Sequence, residues 1–257
     1  MIYKINNKNL EVISEIKEFD ELIFNRLLQF DIINNKSVEN YIKFEKNKVE
    51  IKVDEEKIEL NNKVEKTDIY PIIMNVISKI IDDESNILMH SVVVSKENEG
   101  YLIIGEFGKG KTTLAKEFEK NGYEINSSDQ TWLKIADGKL YQEKGSAYGR
   151  FEEKPEIIYK NRTIKRVNIK KIIRIMGICD NGDVSIKQID NYYYRVKNLF
   201  HSCNWHSSVP IFTDEVNLFQ LKNITEQFLI KLAKTDIEYI DIRGDKKKIV
   251  KQIGDML

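Results

Sequence analysis

Apolar and charged residues alternate with period two along Tyr41–Phe44, Val49–Val53 and Lys57–Leu60, so each of these segments reads as a β-strand with one dry face and one wet face. Glu45–Lys48 and Asp54–Glu56 separate them as turns, which predicts an antiparallel meander. The period lengthens between Ser14 and Phe30, where Ile16, Phe19, Ile23 and Leu27 fall three or four apart and predict an interrupting helix. Helical spacing returns at Ile69, Ile72, Ile73, Val76, Ile77, Ile80 and Ile81, with Thr67 or Asp68 as N-cap and an end near Asp82–Ser85. A boundary placed just before this helix divides a β-rich region, residues 1–67, from a core domain, residues 68–257.

Downstream, His90–Val94 and Tyr101–Ile104 are short apolar strands joined by Ser95–Gly100. A parallel crossover needs a longer link, so the two must form an antiparallel hairpin. Centred on residues 97 and 98, its paired positions sum to about 195, which puts His90 beside Gly105. A helix over Thr112–Asn121 carries Leu114, Ala115 and Phe118 on one face and stops at Gly122, and Tyr123–Asn126 follows as a strand. Beyond Gly145 the pattern is sparser. Ile169–Ile178 reads as a buried strand, Asp180–Asp183 as a hairpin turn into Val184–Lys187, and Tyr192–His201 and Glu226–Leu232 as helices. Tyr239–Gly244 reads as strand and turn, and Ile249, Ile253 and Leu257 mark a final helix.

Composition narrows the class. At 257 residues, against roughly 150 per domain, one large domain or one domain with an appendage is expected. Lys plus Arg and Asp plus Glu each number 41, and this neutrality argues against coating nucleic acid or an anionic membrane, which both require excess positive charge. A hydrophobic share of 41% with 32% charged residues fits neither disorder nor a membrane protein. No apolar run nears the roughly 20 residues of a membrane span, the N-terminus lacks a signal-peptide core, and Cys179 and Cys203 make no disulfide framework, so a cytoplasmic location is expected.

The chemical signal is concentrated in Gly105-Glu106-Phe107-Gly108-Lys109-Gly110-Lys111-Thr112, which fits the phosphate-loop spacing and stands between the Tyr101–Ile104 strand and the following helix. Glycines let backbone N–H groups turn toward phosphate oxygens, and the helix N-terminus adds partial positive charge. With Thr113 continuing the first turn, this stretch is the candidate ATP site. Lys111 would reach the β- and γ-phosphates, and the Thr112 hydroxyl would face Mg²⁺. Ser127-Ser128-Asp129 closes the next strand at its carboxyl end, where α/β sheets place ligand groups. Asp129 is therefore placed either to hold Mg²⁺ or take a proton from an attacking hydroxyl, or simply to form a turn. His90 either touches the transferred phosphate or a catalytic carboxylate, or caps a strand.

These residues resemble the HPr kinase/phosphorylase family and the related ATP-dependent phosphoenolpyruvate carboxykinases. That family has a histidine opening the strand before the phosphate-loop strand, here His90; then the loop, here Gly105–Thr112; then a helix ending in a glycine-aromatic pair, here Gly122-Tyr123; then a strand ending in Asp-Asp, here Ser128-Asp129. Ser128 departs from the first aspartate. The resemblance covers about Met89 to Leu133. Beyond it, Gly145–Arg150 is similar to the Gly-Thr-Pro-Trp loop of shorter HPr kinase-like proteins, and an alternative alignment sets Arg174-Ile175-Met176-Gly177-Ile178 against the Arg-Gly-Leu-Gly-Ile signature. The resemblance implies an α/β, mixed-sheet P-loop nucleotide-binding core with an N-terminal β-rich appendage. It also implies an ATP- and Mg²⁺-dependent kinase acting on a serine or threonine hydroxyl of a small protein or precursor peptide. Lys111 would then steady the γ-phosphoryl group, Thr112 and Asp129 would organise Mg²⁺, Asp129 would serve as base and His90 would support it. A non-catalytic ATP-binding regulator, suggested by Ser128, and a small-molecule kinase stay open, as does assembly into a homo-oligomer.

Weaker constellations remain. His201, Cys203 and His206 form a trio of metal-ligating types, one short of the four that structural zinc takes. Asn191–Arg195 reads as a helix start with core tyrosines, and Lys246–Lys248 as a solvated helix face. Arg150 and Arg166 suit either phosphate contacts or surface ion pairs. The N-terminal strands offer edges that could grip a peptide.

Overall fold

The computed structural model describes residues 1–34, 38–146, 148–151, 154–157, 166–203, 211 and 215–255, with only the backbone of 148–151, 154–157, 201, 215–221 and 255. The chain forms two compact units. The first is Met1–Asp82 joined by a later segment ending at Asn223, and the second comprises Asp83–Asn204 and Ile224–Leu257. The helix before Asp82, which the boundary at residue 68 assigns to the core domain, thus belongs with the N-terminal strands.

In the first unit a six-stranded sheet has the order β3-β1-β2-β4-β5-β6. Its strands are β1 (Ile2–Ile5), β2 (Lys8–Ser14), β3 (Asp31–Ile32), β4 (Asn40–Glu45), β5 (Lys48–Val53) and β6 (Glu56–Leu60). The expected meander is β4-β5-β6, antiparallel throughout, with Phe44 opposite Val49 and Val49 opposite Leu60. Ile42, Phe44, Val49, Ile51 and Val53 are buried while the alternate residues are not, so the period-two pattern decides which face is dry. Between β2 and β3 the expected single helix is shorter. The Ser14 hydroxyl accepts the Ile16 N–H at 3.1 Å and donates to the Ile16 carbonyl at 2.9 Å, a local turn that keeps the chain out of helical geometry. A 3₁₀ turn over Lys17–Phe19 and helix α1 (Asp20–Leu27) follow.

Helix α2 (Lys66–Ile81) has Glu65 as its N-cap, in place of Thr67 or Asp68. Asp68 is the other half of a capping box, its carboxylate accepting the Glu65 N–H at 2.8 Å. The helix tolerates Pro71, and the Asn75 side-chain amide donates to the Pro71 carbonyl at 2.8 Å.

The second unit is built on a nine-stranded mixed sheet. Its strands are β7 (Asn86–Met89), β8 (Val92–Lys96), β9 (Glu99–Ile104), β10 (Glu124–Ser127), β11 (Thr131–Ala136), β12 (Lys139–Gly145), β15 (Val167–Cys179), β16 (Ser185–Gln188) and β17 (Glu238–Asp245). A separate ribbon is formed by β13 (Tyr148–Phe151) and β14 (Lys154–Ile157). The main path runs β10-β8-β9-β15-β12-β11-β7. Strand β15 is its axis, parallel to β9 on one side; on the other it pairs with β12 at its start and with parallel β17 beyond.

Helices cover both faces, as an α/β architecture requires. On one face, Leu114 and Phe118 of α3 (Lys111–Lys120) and Ile249 and Ile253 of α6 (Lys246–Asp255) pack on Val94, Ile103, Ile173 and Ile242. On the other, Leu199 of α4 (Tyr192–Cys203) and Phe228 and Leu232 of α5 (Glu215–Ala233) pack on Leu102, Ile104, Ile172 and Tyr239. Neighbouring residues of one strand, Ile103 and Ile104, thus enter opposite cores. Among the described residues no helix is long and apolar enough to cross a membrane.

Four local expectations change. The run His90–Val94 is not one strand, because β7 ends at Met89, the chain bends at His90-Ser91, and β8 begins at Val92. The turn at Asp180–Asp183 does not close a hairpin between β15 and β16, since β17 lies between them and pairs with both. Tyr193 is 81% exposed, with Tyr192 and Tyr194 at 38% each, so these are not core tyrosines. Lys246 leaves the solvated face to pair with Asp180, while Lys247 and Lys248 stay exposed.

Candidate functional site

The hairpin fixes the entry to the site. Its register pairs Val92 with Ile103 and Lys96 with Glu99, the expected offset, and brings β9 to its end at Ile104. The chain then turns through Gly105–Gly110 into α3. Gly108 and Gly110 have φ of 76° and 96°, a region that glycine enters without strain. Gly110 is the N-cap of α3 and supplies no side-chain cap, so the first-turn amides beside Thr112 and Thr113 receive no acceptor from it. A Cβ on Gly110 would lie 2.5 Å from Ile178 Cδ1, so a side chain there would have to displace the end of Ile178, and the left-handed φ of 96° also favours glycine. Phe107 stands at the tip, 90% exposed, and Glu106 pairs with Lys109 across it at 3.5 Å.

Lys111 is only 7% exposed and folds back over the loop, donating to the carbonyls of Gly105 at 2.8 Å and Glu106 at 3.2 Å. Burial lowers its pKa to about 8, and the nearby charge of Asp129 works in the opposite direction. Neutral carbonyls are weak partners for an ammonium ion, so an anion arriving in the loop would find a cation already in place.

Asp129 sits in the bend between β10 and β11 with φ of 73°, a left-handed conformation that is sparsely populated outside glycine. The bend is fastened on both sides. The Ser128 N–H donates to the Ser146 carbonyl at 3.0 Å, and the Ser146 N–H to the Gln130 carbonyl at 2.9 Å. Beneath, the Ser127 and Thr131 hydroxyls meet at 2.6 Å, and Ser127 Oγ accepts the Val93 N–H at 3.0 Å. Ser127, Ser128, Gln130 and Thr131 are all buried, whereas Asp129 alone is partly exposed. His90 reaches the same point from the bend after β7, where its backbone N–H is held by the Ser202 carbonyl at 2.9 Å. Its Nε2 lies 3.3 Å from Asp129 Oδ1.

Lys111, Asp129 and His90 therefore come together beside Gly105–Thr113. Thr112 is half-buried and Thr113 exposed in the first turn of α3. One carboxylate and one hydroxyl are hard oxygen donors, a set that suits Mg²⁺, which takes few protein ligands and fills its shell with phosphate and water. Sequence reasoning names Ser127 and Ser146 but not the bonds by which they and Thr131 fasten the bend; Ser127 and Thr131 fall in a polar run, Asn126–Thr131, in which five of six residues are buried.

The weaker constellations resolve partly. Arg166 Nε pairs with Glu143 at 2.9 Å and its guanidinium lies 3.7 Å over the Tyr141 ring, which is a structural role. Cys203 is 1% exposed within the core, while the His201 side chain, His206 and the Arg150 side chain lie outside the described residues. Among the described residues no cluster of three metal-ligating side chains forms.

No protein-family model matches the chain. No curated protein matches it either. Among solved structures it is similar to the Hpr(Ser) kinase/phosphatase from Coxiella burnetii, at 12% identity and a TM-score of 0.37, over 65% of this chain and 91% of that one. The site stands on its own geometry.

Proposed function

We propose that the protein is an ATP-dependent phosphotransferase that moves the γ-phosphoryl group to a serine or threonine hydroxyl of a small protein or precursor peptide. The observation that carries this reading is the convergence of a buried lysine and a strained aspartate on one phosphate-loop geometry. Lys111 would meet the β- and γ-phosphates, and the amides of Gly108–Thr113 would cradle them. Asp129 would accept the proton of the incoming hydroxyl, and His90, 3.3 Å away, would hold that carboxylate in place. Thr112 and Asp129 would hold Mg²⁺, which supplies charge neutralisation on the phosphates when bound. Phosphoryl transfer needs little else, because positioning and charge account for most of its catalysis.

Asp129→Asn keeps the shape of the bend and removes the base. Incubated with γ-labelled ATP and candidate peptides, the variant should keep ATP binding largely intact and label nothing. Full labelling by the variant would refute the role.

Ser128 favours a second reading. It is 1% exposed and leaves the bend with a single carboxylate, so the site would suit an ATP-sensing regulator that does not transfer phosphate. ATP binding by the parent chain with no labelled product from any hydroxyl acceptor would favour it.

A further inference from the structure

Strand β16 is an outer edge of the mixed sheet, and its register shows which backbone groups are free. It pairs with β17 on one side, and among the described residues no strand lies on its other side. The Ile189 N–H donates to the Tyr239 carbonyl at 2.8 Å, continuing the register that sets Lys187 opposite Asp241. Hydrogen-bonded positions in an antiparallel pair recur at every second residue. Ser185, Lys187 and Ile189 therefore turn their backbone groups to β17, and Ile186 and Gln188 turn theirs outward.

The first turns of α4 stand beside that edge and make it one wall of a groove of about 520 Å³. Tyr193 and Lys197, one helical turn apart, line the other wall. The groove is preformed. Tyr194 accepts from Arg174 and donates to Asp241 at 3.2 Å, and Arg174 Nε donates to Asp241 at 2.8 Å, which fixes the start of α4 to β15 and β17. Its charge is one-sided. Lys187 and Lys197 have no hydrogen bond or ion pair among the described residues, whereas Asp190, the one acid lining the groove, faces Arg195 at 3.6 Å.

An open edge, two unmatched cations and an exposed tyrosine ring describe the partner that fits, an extended acidic peptide. We propose that the acceptor peptide docks here as an added strand, its main chain bonding to Ile186 and Gln188 and its alternate carboxylates reaching Lys187 and Lys197. Lysine on an edge strand also discourages pairing with a second copy of the same edge. This rests on the phosphotransferase reading, since it names the acceptor of that reaction. The groove lies in the same unit as Asp129. From Tyr194 the axis of α4 runs about 12 Å to Ser202, at roughly 1.5 Å per residue, and the Ser202 carbonyl holds His90. An extended chain covers that distance in about four residues, so the hydroxyl to be phosphorylated stands at least that far from the docking segment.

Fluorescence anisotropy on the full chain without nucleotide tests docking apart from transfer. The probe, a short labelled peptide of alternating glutamate and threonine, should bind about tenfold or more tighter than its lysine-threonine counterpart, and Lys187→Glu should reverse that preference. Only alternate amides of an added strand face β16. N-methylation of the glutamate amides and of the threonine amides should therefore act unequally, one set weakening binding about tenfold and the other little. Gln188→Pro removes an outward N–H and leaves the bonds to β17, so it should weaken the probe by about fivefold or more. Equal affinity for the two peptides, equal effects of the two methylations, or tighter binding of oligouridylate than of the acidic peptide would overturn the docking assignment; ATP binding by the same chain would leave the phosphotransferase reading standing. Joined to a serine through linkers of increasing length, the acidic segment should lower KM by about tenfold at unchanged kcat once the linker reaches about four residues. Docking with no labelled serine at any linker length would sink the phosphotransferase reading, and the acceptor assignment with it.

Discussion

His90 Nε2 and Asp129 Oδ1 lie 3.3 Å apart, although each residue reaches that point through a departure from regular strand geometry. His90 occupies the bend between β7 and β8, and Asp129 the left-handed position between β10 and β11. A backbone strain of about 1–3 kcal/mol at a single residue persists only when the surroundings enforce it, and such strain concentrates at functional sites. In the proposed reaction His90 is a positioning residue that acts through the carboxylate. His90→Ala should lower kcat by about 10- to 100-fold with ATP affinity unchanged, the scale of losing a supporting partner. His90→Gln, whose amide can still donate to Asp129, should restore most of the rate. Equal losses in both variants would show that the contact is not what matters.

Lys111 should make the proposed nucleotide binding pH-dependent. In the ligand-free protein burial lowers it from 10.5 to about 8. The unfolded chain keeps that proton up to its ordinary value, so between these limits it binds more protons than the folded chain, and folding stability rises with pH. Below pH 8 the full penalty is present, about 3 kcal/mol at most by the usual conversion. Lys111→Met should therefore raise the melting temperature of the ligand-free protein at pH 7 and lose that advantage toward pH 10. Bound phosphate should restore the charge. Calorimetry in buffers of different ionisation enthalpy should then detect proton uptake on ATP binding near pH 8.5, and none at pH 6.5.

Gly110 couples the loop to β15. Alanine there would carry both a left-handed backbone and a methyl group 2.5 Å from Ile178 Cδ1. Gly110→Ala should cost about 2–5 kcal/mol, combining backbone strain with overpacking. Ile178→Ala in the same chain removes the clash and leaves the strain. Denaturant titration of the four members of the cycle should give less destabilisation than the sum of the single changes, by about 1 kcal/mol or more. Strict additivity would mean that the loop does not close on Ile178.

How much of this was written in the sequence depends on the range of the interaction. The β8-β9 register was legible because a six-residue link excludes a parallel crossover and leaves one hairpin. The turn from β9 into α3 is legible because glycines stand where the chain takes positive φ, at Gly108 and Gly110. For His90 the hairpin register is no guide, because His90 lies outside β8 and outside the pairing with β9. A run of His, Ser and three valines has no mark of the bend that ends β7, and that bend is stabilised by Ser202, far along the chain. The insertion of β17 between β15 and β16 was equally hidden, since the turn at Asp180–Asp183 looks the same whichever strand β16 joins. The exposed tyrosines of α4 mislead because helical period alone does not say which face a tertiary neighbour covers.

Gly145 shows how a residue with no chemistry can govern the site. It ends β12 opposite Thr131, and a Cβ on it would stand 2.0 Å from Ser127 Cβ and 2.9 Å from Ser127 Cα. Ser127 cannot retreat cheaply, because its hydroxyl is held by Thr131 at 2.6 Å and by the Val93 N–H at 3.0 Å. Gly145→Ala should therefore push Ser127 and Thr131 apart and move Asp129, which they flank. The Gly105–Gly110 loop belongs to β9 and α3 and stays where it is. The expected result is separable: ATP affinity close to that of the parent, phosphoryl transfer reduced by at least about tenfold, and stability lower by about 1–3 kcal/mol from overpacking. Ser127→Ala, which removes the hydroxyl and keeps the shape, should lower transfer by a smaller factor, since the two backbone bonds of Ser146 still hold the bend. Comparable transfer rates in the parent and Gly145→Ala would mean that Asp129 keeps its place without this support.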